Sequence, residues 1–180
     1  MIEKQLFSKD ECDFILNSFE GKWITSKVGK DYAGNFVEDT ELRESQTKTL
    51  YTKDNTKLSE LLLNKLSEFN VVELPIQIQL LKYEVGGHFN KHRDTLSEYN
   101  TQPPRHSTII IYLNEDYEGG NLSVWDYVTD KEYIAERKIG NSVMFESKCF
   151  HAASKVLSGT RYVLVVWVTS EGMGNKPTLI

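Results

Sequence analysis

Cysteine is scarce in this chain. The two present, Cys12 and Cys149, lie far apart with no CxxC spacing. That excludes a disulfide framework and a thiolate zinc site, and both read as free thiols. Four prolines and eleven glycines exclude collagen-like and low-complexity classes. Long apolar runs are missing as well. The longest, Val163-Leu164-Val165-Val166-Trp167-Val168, falls far short of the roughly 20 residues that span a bilayer, so no membrane span is expected. The opening Met1-Ile2-Glu3-Lys4-Gln5 has no basic stretch leading into an apolar one, so no signal peptide is expected and the expected location is cytoplasmic. Basic charge is in deficit, with 21 Lys and Arg against 26 Asp and Glu, net −5. This balance repels phosphate backbones and no basic run offsets it, which disfavours nucleic acid as a partner.

What is present is enough for one domain, since 180 residues bury a sizeable core but do not accommodate two ordinary domains and a linker. Ser8-Lys9-Asp10-Glu11 has the S-x-x-E form of a capping box, with Phe7 placed to staple onto Cys12. The helix it predicts carries Cys12, Ile15, Leu16 and Phe19 on one face and stops at Gly21. A second helix is predicted from about Lys57 to Phe69, with Leu58, Leu61, Leu62, Leu66 and Phe69 as its buried stripe. Between the two, Gly29 to Ser45 is polar and turn-rich and reads as a long irregular segment.

From Leu74 the period changes to two. Strands are predicted over Ile76 to Tyr83, Ser107 to Leu113, Asn121 to Trp125, Tyr133 to Arg137, Ser142 to Glu146 and Tyr162 to Thr169, with turn signals between them. Many short strands with frequent turns indicate a sandwich or barrel. The chain is therefore expected to be mainly β with supporting N-terminal helices. The expected domain covers 1–170, as helical and irregular support over 1–73 and a β core over 74–170, with 171–180 as a flexible tail.

His92-Arg93-Asp94 sets an imidazole and a carboxylate two residues apart, so that on an extended segment both project to one face. A third ligand from another strand completes a 2-His-1-carboxylate triad, the arrangement that leaves positions open on a non-haem Fe(II). His151, a short turn beyond the strand ending at Glu146, is the candidate. Arg161 stands at the start of the apolar strand Tyr162 to Thr169. A cation there needs an anionic partner, and its planar fork suits a carboxylate. A dicarboxylate that chelates the metal at one end satisfies both features.

These residues fall within a longer pattern. Tyr83-Glu-Val-Gly-Gly-His-Phe-Asn-Lys-His92-Arg-Asp94, then Ser107-Thr-Ile-Ile-Ile-Tyr112-Leu-Asn114 with Gly119-Gly120, Gly140-Asn-Ser-Val-Met-Phe145, His151 and Gly159-Thr-Arg161-Tyr-Val-Leu-Val-Val-Trp167 together resemble the 2-oxoglutarate/Fe(II) oxygenases of the prolyl 4-hydroxylase type. The likeness covers about half the chain, Leu80 to Val168. Arg43-Glu-Ser45 is similar, more loosely, to the R-x-S segment before the second helix in that family. The resemblance implies a double-stranded β-helix, or jelly roll. It implies His92, Asp94 and His151 as iron ligands, Arg161 as receptor for the distal carboxylate of 2-oxoglutarate, and Tyr83, Tyr112 and Trp167 lining the co-substrate pocket. Fe(II), 2-oxoglutarate and O2 are the implied cofactors, with ascorbate as a candidate reductant.

The activity implied is hydroxylation with release of succinate and CO2. Prolyl residues of a peptide or protein are the leading substrate, and a free amino acid or other small molecule is the alternative. A non-catalytic cupin-like binding module is the reading from another class. Collagen and plant members carry Lys ten residues after the last histidine and oxygen-sensing members carry Arg at shorter spacing. Arg161, at the longer spacing, fits neither subgroup. Nucleic-acid demethylation is disfavoured because repair members carry a second arginine where this chain has Trp167. His88 and His106 read as structural or loop residues, Cys149 is left without a role, Asn114 ends its strand and Gly119-Gly120 form a tight connection. The stretches 29–45 and 95–105 are expected to cover substrate.

Overall fold

Ser8 starts the first helix through a complete capping box: its hydroxyl accepts from Glu11 N, and the Glu11 side chain accepts from Ser8 N. The computed structural model describes residues 1–28, 37–95 and 104–174. In chain order these form β1 (Ile2–Gln5), α1 (Lys9–Asn17), β2 (Ile24–Thr25), β3 (Arg43–Glu44), β4 (Gln46–Tyr51), α2 (Thr56–Leu66), β5 (Gln77–Tyr83) and β6 (His88–His92). There follow β7 (Arg105–Tyr112), β8 (Glu118–Gly119), β9 (Leu122–Trp125), β10 (Glu132–Ile134), β11 (Asn141–Glu146), β12 (Phe150–Ala153), β13 (Val156–Ser158) and β14 (Arg161–Thr169). The second helix tightens to a 3-10 turn at Ser67–Phe69 and ends on Asn70, whose left-handed backbone turns the chain.

Two antiparallel sheets face each other, one ordered β1-β11-β7-β14-β5-β4-β2 and the other β10-β9-β12-β6-β3. From β5 onward the chain passes between them, so that β5, β14, β7 and β11 oppose β6, β12, β9 and β10. This is a jelly roll, extended at its edges by the N-terminal strands. Period-two alternation explains how it packs. Ile78, Leu80, Ile109, Ile111, Met144, Leu164 and Val166 point outward to Cys12, Ile15, Leu58, Leu62 and Leu66 of the helices. Leu81, Tyr83, Ile110, Tyr112, Val143, Phe145, Val163 and Val165 point inward, toward the second sheet. Both faces of the large sheet are covered at its centre, which is why β14 reads as a nearly continuous apolar run and β5, β7 and β11 each carry a shorter one.

Some expectations need correction. The N-terminal stretch is not only helical and irregular support: β1 pairs with β11 and β4 pairs with β5, so both belong to the large sheet. The segment 29–45 ends in a strand, β3, paired with β6; its residues 29–36 lie outside the described residues, as do 96–103 of the other expected covering stretch. The tail expected to be flexible from Glu171 is pinned through Gly174. Met173 is buried in the outer core, Val72 N donates to Gly172 O at 2.8 Å and Gly174 N to Asn70 O at 2.7 Å. Residues 175–180 lie outside the described residues. Among the described residues, no helix is long and apolar enough to cross a membrane.

Candidate active site

His92 ends β6 and faces His151 of β12 directly across the strand pair. The register of that pair is irregular, since Ala153 lies opposite Phe89, so three steps on β6 match two on β12. Such a bulge changes which side chains share a face. Phe89 stacks on the His92 ring at 3.4 Å between centroids. His88 takes no part in the cluster; its ring nitrogens lie 3.0 Å from Gly86 O and 3.2 Å from Glu41 O.

His92 Nδ1 lies 2.7 Å from Asn90 O, and His151 Nδ1 lies 3.2 Å from Cys149 O. Each carbonyl accepts from Nδ1–H, which keeps the proton on Nδ1 and leaves the Nε2 lone pair free. Both Nε2 atoms point at Asp94: His92 Nε2 is 3.6 Å from Oδ1 and His151 Nε2 is 3.4 Å from Oδ2. The ligand atoms of the three residues all lie within 4.8 Å of one another. Asp94 is buried, which opposes its charge, but His151 and His92 outweigh that and hold its carboxyl well below the usual range. Burial pushes the His92 imidazole down, against the opposing pull of Asp94, favouring its neutral ligating form. Asp94 Oδ2 also accepts from Thr108 Oγ1 at 2.7 Å and from Trp167 Nε1 at 2.8 Å.

Arg161 opens β14 opposite Tyr83 and is 1% exposed. Its guanidinium lies 4.9 Å from the Tyr83 ring centroid and 5.5 Å from that of Tyr112. Its Nε and Nη2, together with the hydroxyls of Tyr112 and Tyr117, are buried without hydrogen-bond partners among the described residues. Buried donors of this kind are rarely left unmatched, and among the described residues Arg161 makes no ion pair. A cluster of unmatched donors around a buried cation fits the carboxylate end of a small dianion. A pocket of about 420 Å³, open mouth included, joins the two halves, lined by His92, Asp94, His151, Arg161, Tyr83 and Trp167 among others.

Tyr112 is not among the pocket-lining residues, but its ring lies 5.5 Å from the Arg161 guanidinium. Trp167 lines the pocket but commits its indole N–H to Asp94. Sequence reasoning assigned no role to Tyr117, Thr108 or Arg43. One trace of Tyr117 was available in Gly120: with φ +61°, a Cβ there would sit 2.9 Å from Arg161 Cδ and 3.1 Å from Tyr117 Cε2, so the glycine permits their approach as well as the turn. His106 falls within β7, with Nδ1 2.8 Å from Ser107 Oγ. Asn114 does more than end a strand: its amide donates to Thr160 O and accepts from Tyr162 N, holding the entry to β14.

Two imidazole nitrogens and a carboxylate oxygen gathered on one side fit a non-haem Fe(II) with open positions. With the jelly roll around them, they define the class of non-haem iron oxygenases. The chain belongs to the 2OG-Fe(II) oxygenase superfamily, whose model matches residues 78–169, and is an Fe(II)/2-oxoglutarate-dependent dioxygenase. It is 24% identical over 177 residues to a PKHD-type hydroxylase of Prochlorococcus marinus strain NATL2A, covering 95% of this chain and 78% of that one. Among solved structures it is similar to a Pseudomonas putida prolyl-4-hydroxylase, with TM-score 0.63, 15% identity, and 92% and 90% of the two chains covered. It is also similar to a Trichoplax adhaerens prolyl hydroxylase in complex with a hypoxia inducible factor oxygen degradation domain peptide, with TM-score 0.64, 17% identity and 90% and 76% covered. These structural likenesses concern the fold. The reading as a non-catalytic cupin-like module is set aside.

Proposed function

We propose that the chain forms one catalytic domain that runs through Gly174 and hydroxylates a prolyl residue of a peptide or protein, with His92, Asp94 and His151 holding the iron and Arg161 holding the distal carboxylate of 2-oxoglutarate. The observation that carries this is the convergence of the three ligand atoms in the same pocket as a buried, unpaired arginine. When bound, Fe(II) with 2-oxoglutarate and O2 supplies the oxidising power, the co-substrate leaving as succinate and CO2 while the substrate gains a hydroxyl.

The chain's own residues do the rest. The Asn90 and Cys149 carbonyls orient the two imidazoles. Thr108 and Trp167 fix the Asp94 carboxylate. Arg161, buried beside Tyr112 and Tyr117, offers its unpaired donors to a carboxylate in the pocket. The apolar walls, including Leu81, Ile110, Val163 and Val165, keep water from the reacting centre.

The prolyl reading is supported by the names of similar proteins, two of them prolyl hydroxylases and one in complex with a peptide. The second reading, a free amino acid or other small molecule, is favoured by a second buried guanidinium in the same pocket, that of Arg43. The test is a panel of proline-containing peptides and free amino acids incubated with enzyme, Fe(II), 2-oxoglutarate and O2 and scored for the mass gain of one oxygen atom. Oxygen gain on a proline ring of a peptide supports the first reading. Oxygen gain confined to free amino acids replaces it with the second.

A further inference from the structure

Arg43 opens β3 opposite Phe89 of β6 and is 7% exposed. Its Nε donates to Ser45 Oγ at 2.8 Å. Its guanidinium lies over the Phe89 ring at 4.6 Å, and that ring stacks on the His92 imidazole at 3.4 Å. The cation is thus one phenyl ring removed from a residue of the metal cluster. Its Nη2 is buried with no hydrogen-bond partner among the described residues, and the residue lines the same pocket as His92, Asp94 and Arg161.

Charge balance shows what is missing. Asp94 is the only carboxylate lining the pocket among the described residues. With a divalent metal and a dianionic co-substrate in place, the metal and Arg161 are balanced by Asp94 and the two carboxylates, and the charge of Arg43 is left over. Among the described residues Arg43 makes no ion pair. The Ser45 hydroxyl and the Phe89 face offset part of the cost of burying it, but neither carries a charge. A further cation, Arg105, stacks on Trp167 at 3.9 Å; burial pushes its guanidinium below its ordinary range, with the Asp94 carboxylate opposing that shift and the like charge of Arg43 adding to it. A buried guanidinium at the pocket wall, with no carboxylate of the described residues paired to it, calls for an anion from outside the chain.

We propose that Arg43 is the receptor for a carboxylate on the primary substrate, so that the C–H bond attacked belongs to a molecule or residue carrying a carboxylate nearby. The proposal rests on the hydroxylase reading above and adds the chemical class of the substrate. With Nε committed to Ser45, the Nη edge of the planar fork remains for the ligand. A buried donor of this kind discriminates against an analogue that lacks the matching acceptor, because the site is then left unmatched. The carboxylate has two sources with the same chemistry, the α-carboxylate of a free amino acid and the C-terminal or side-chain carboxylate of a peptide.

The test uses the full chain loaded anaerobically with Fe(II) and 2-oxoglutarate, with binding followed by calorimetry and oxygen incorporation by mass after O2 is admitted. The probes are free L-proline against L-prolinamide, a peptide ending in proline against its C-terminal amide, and an internal-proline peptide with a Glu neighbour against its Gln counterpart. The expected result is that at least one acid binds roughly tenfold or more tighter than its neutral partner, and the pair that discriminates identifies the source. In Arg43→Gln that preference collapses, while Arg43→Lys keeps part of it. The visible charge-transfer absorption of the Fe(II)–2-oxoglutarate complex, retained in both variants, shows that they fold and load. Equal binding of all acid and neutral partners, no binding of any acid, or discrimination unchanged in Arg43→Gln overturns the proposal. Absence of the charge-transfer absorption in the unmutated protein overturns the hydroxylase reading itself, which separates the two failures.

Discussion

The Trp167 indole N–H donates to Asp94 Oδ2 at 2.8 Å, joining the far part of β14 to the carboxylate two residues beyond His92. Thr108 Oγ1 reaches the same oxygen from β7 at 2.7 Å, and Thr108 pairs with Trp167 across the two strands. Two donors on one oxygen orient the carboxylate and leave Oδ1 turned to His92 Nε2.

Removing either donor should therefore loosen the metal. Trp167→Phe and Thr108→Val are each expected to weaken Fe(II) binding by about 10–100-fold, the usual scale for partners behind a metal ligand, as measured by anaerobic titration. Iron affinity unchanged in both variants contradicts the role assigned to this pair.

Arg161 is expected to govern the co-substrate. Arg161→Ala should raise the 2-oxoglutarate Kd by about 100-fold or more, the scale of losing a buried charge-assisted pair, with a smaller rise in Tyr112→Phe. Burial pushes the Tyr112 phenol up to about 12, so it remains a donor well above its ordinary value of 10. Below its raised pKa the phenol is protonated, and no loss of 2-oxoglutarate affinity traceable to Tyr112 is expected up to about pH 10. The check is to compare the pH dependence of the Kd in the unmutated chain and in Tyr112→Phe; an inflection near 10 present only with the tyrosine contradicts the assignment.

At Gly120 a methyl group has no room beside Arg161 and Tyr117, and the backbone is left-handed. Gly120→Ala is expected to cost about 1–3 kcal/mol of stability in urea unfolding and to weaken 2-oxoglutarate binding. Loss of stability with full affinity for the co-substrate would show that the close approach serves the turn alone.

The capping box gives a prediction remote from the site. Ser8→Ala is expected to cost about 1 kcal/mol without altering iron or 2-oxoglutarate affinity. Burial opposes the charge of Glu11, but the Ser8 backbone N–H and Lys65 overcome it and lower the Glu11 pKa. A carboxylate depressed on folding stabilises the protein above its unfolded pKa and ceases to do so as pH falls through the folded one. The stability gap between the unmutated chain and Glu11→Gln should therefore be full near neutrality and fade below about pH 4.

The strands β5, β7, β11 and β14 were legible because each carries a run of apolar residues whose alternate members are buried on the two faces of the sheet. The grouping of His92, Asp94 and His151 was legible in the HxD and in a histidine a short turn beyond the strand ending at Glu146, which converge because β6 and β12 pair. Other elements left no local signal. β1 is Ile-Glu-Lys-Gln, one apolar residue followed by three polar ones, and it becomes a strand only because β11 offers it an edge. β6 is polar, and its bulge against β12, which brings Phe89 onto His92, has no mark in the sequence. Arg43 and Tyr117 lie outside the strand pattern, and their burial depends on contacts far along the chain: Arg43 packs on Phe89 and Tyr117 beside Gly120.

The most direct measurement is the visible charge-transfer absorption formed when the anaerobic protein is given Fe(II) and then 2-oxoglutarate, followed by succinate release on admitting O2. The account predicts the band and the succinate in the unmutated chain and neither in His92→Ala. No band in the unmutated chain, or an undiminished band in His92→Ala, would contradict it.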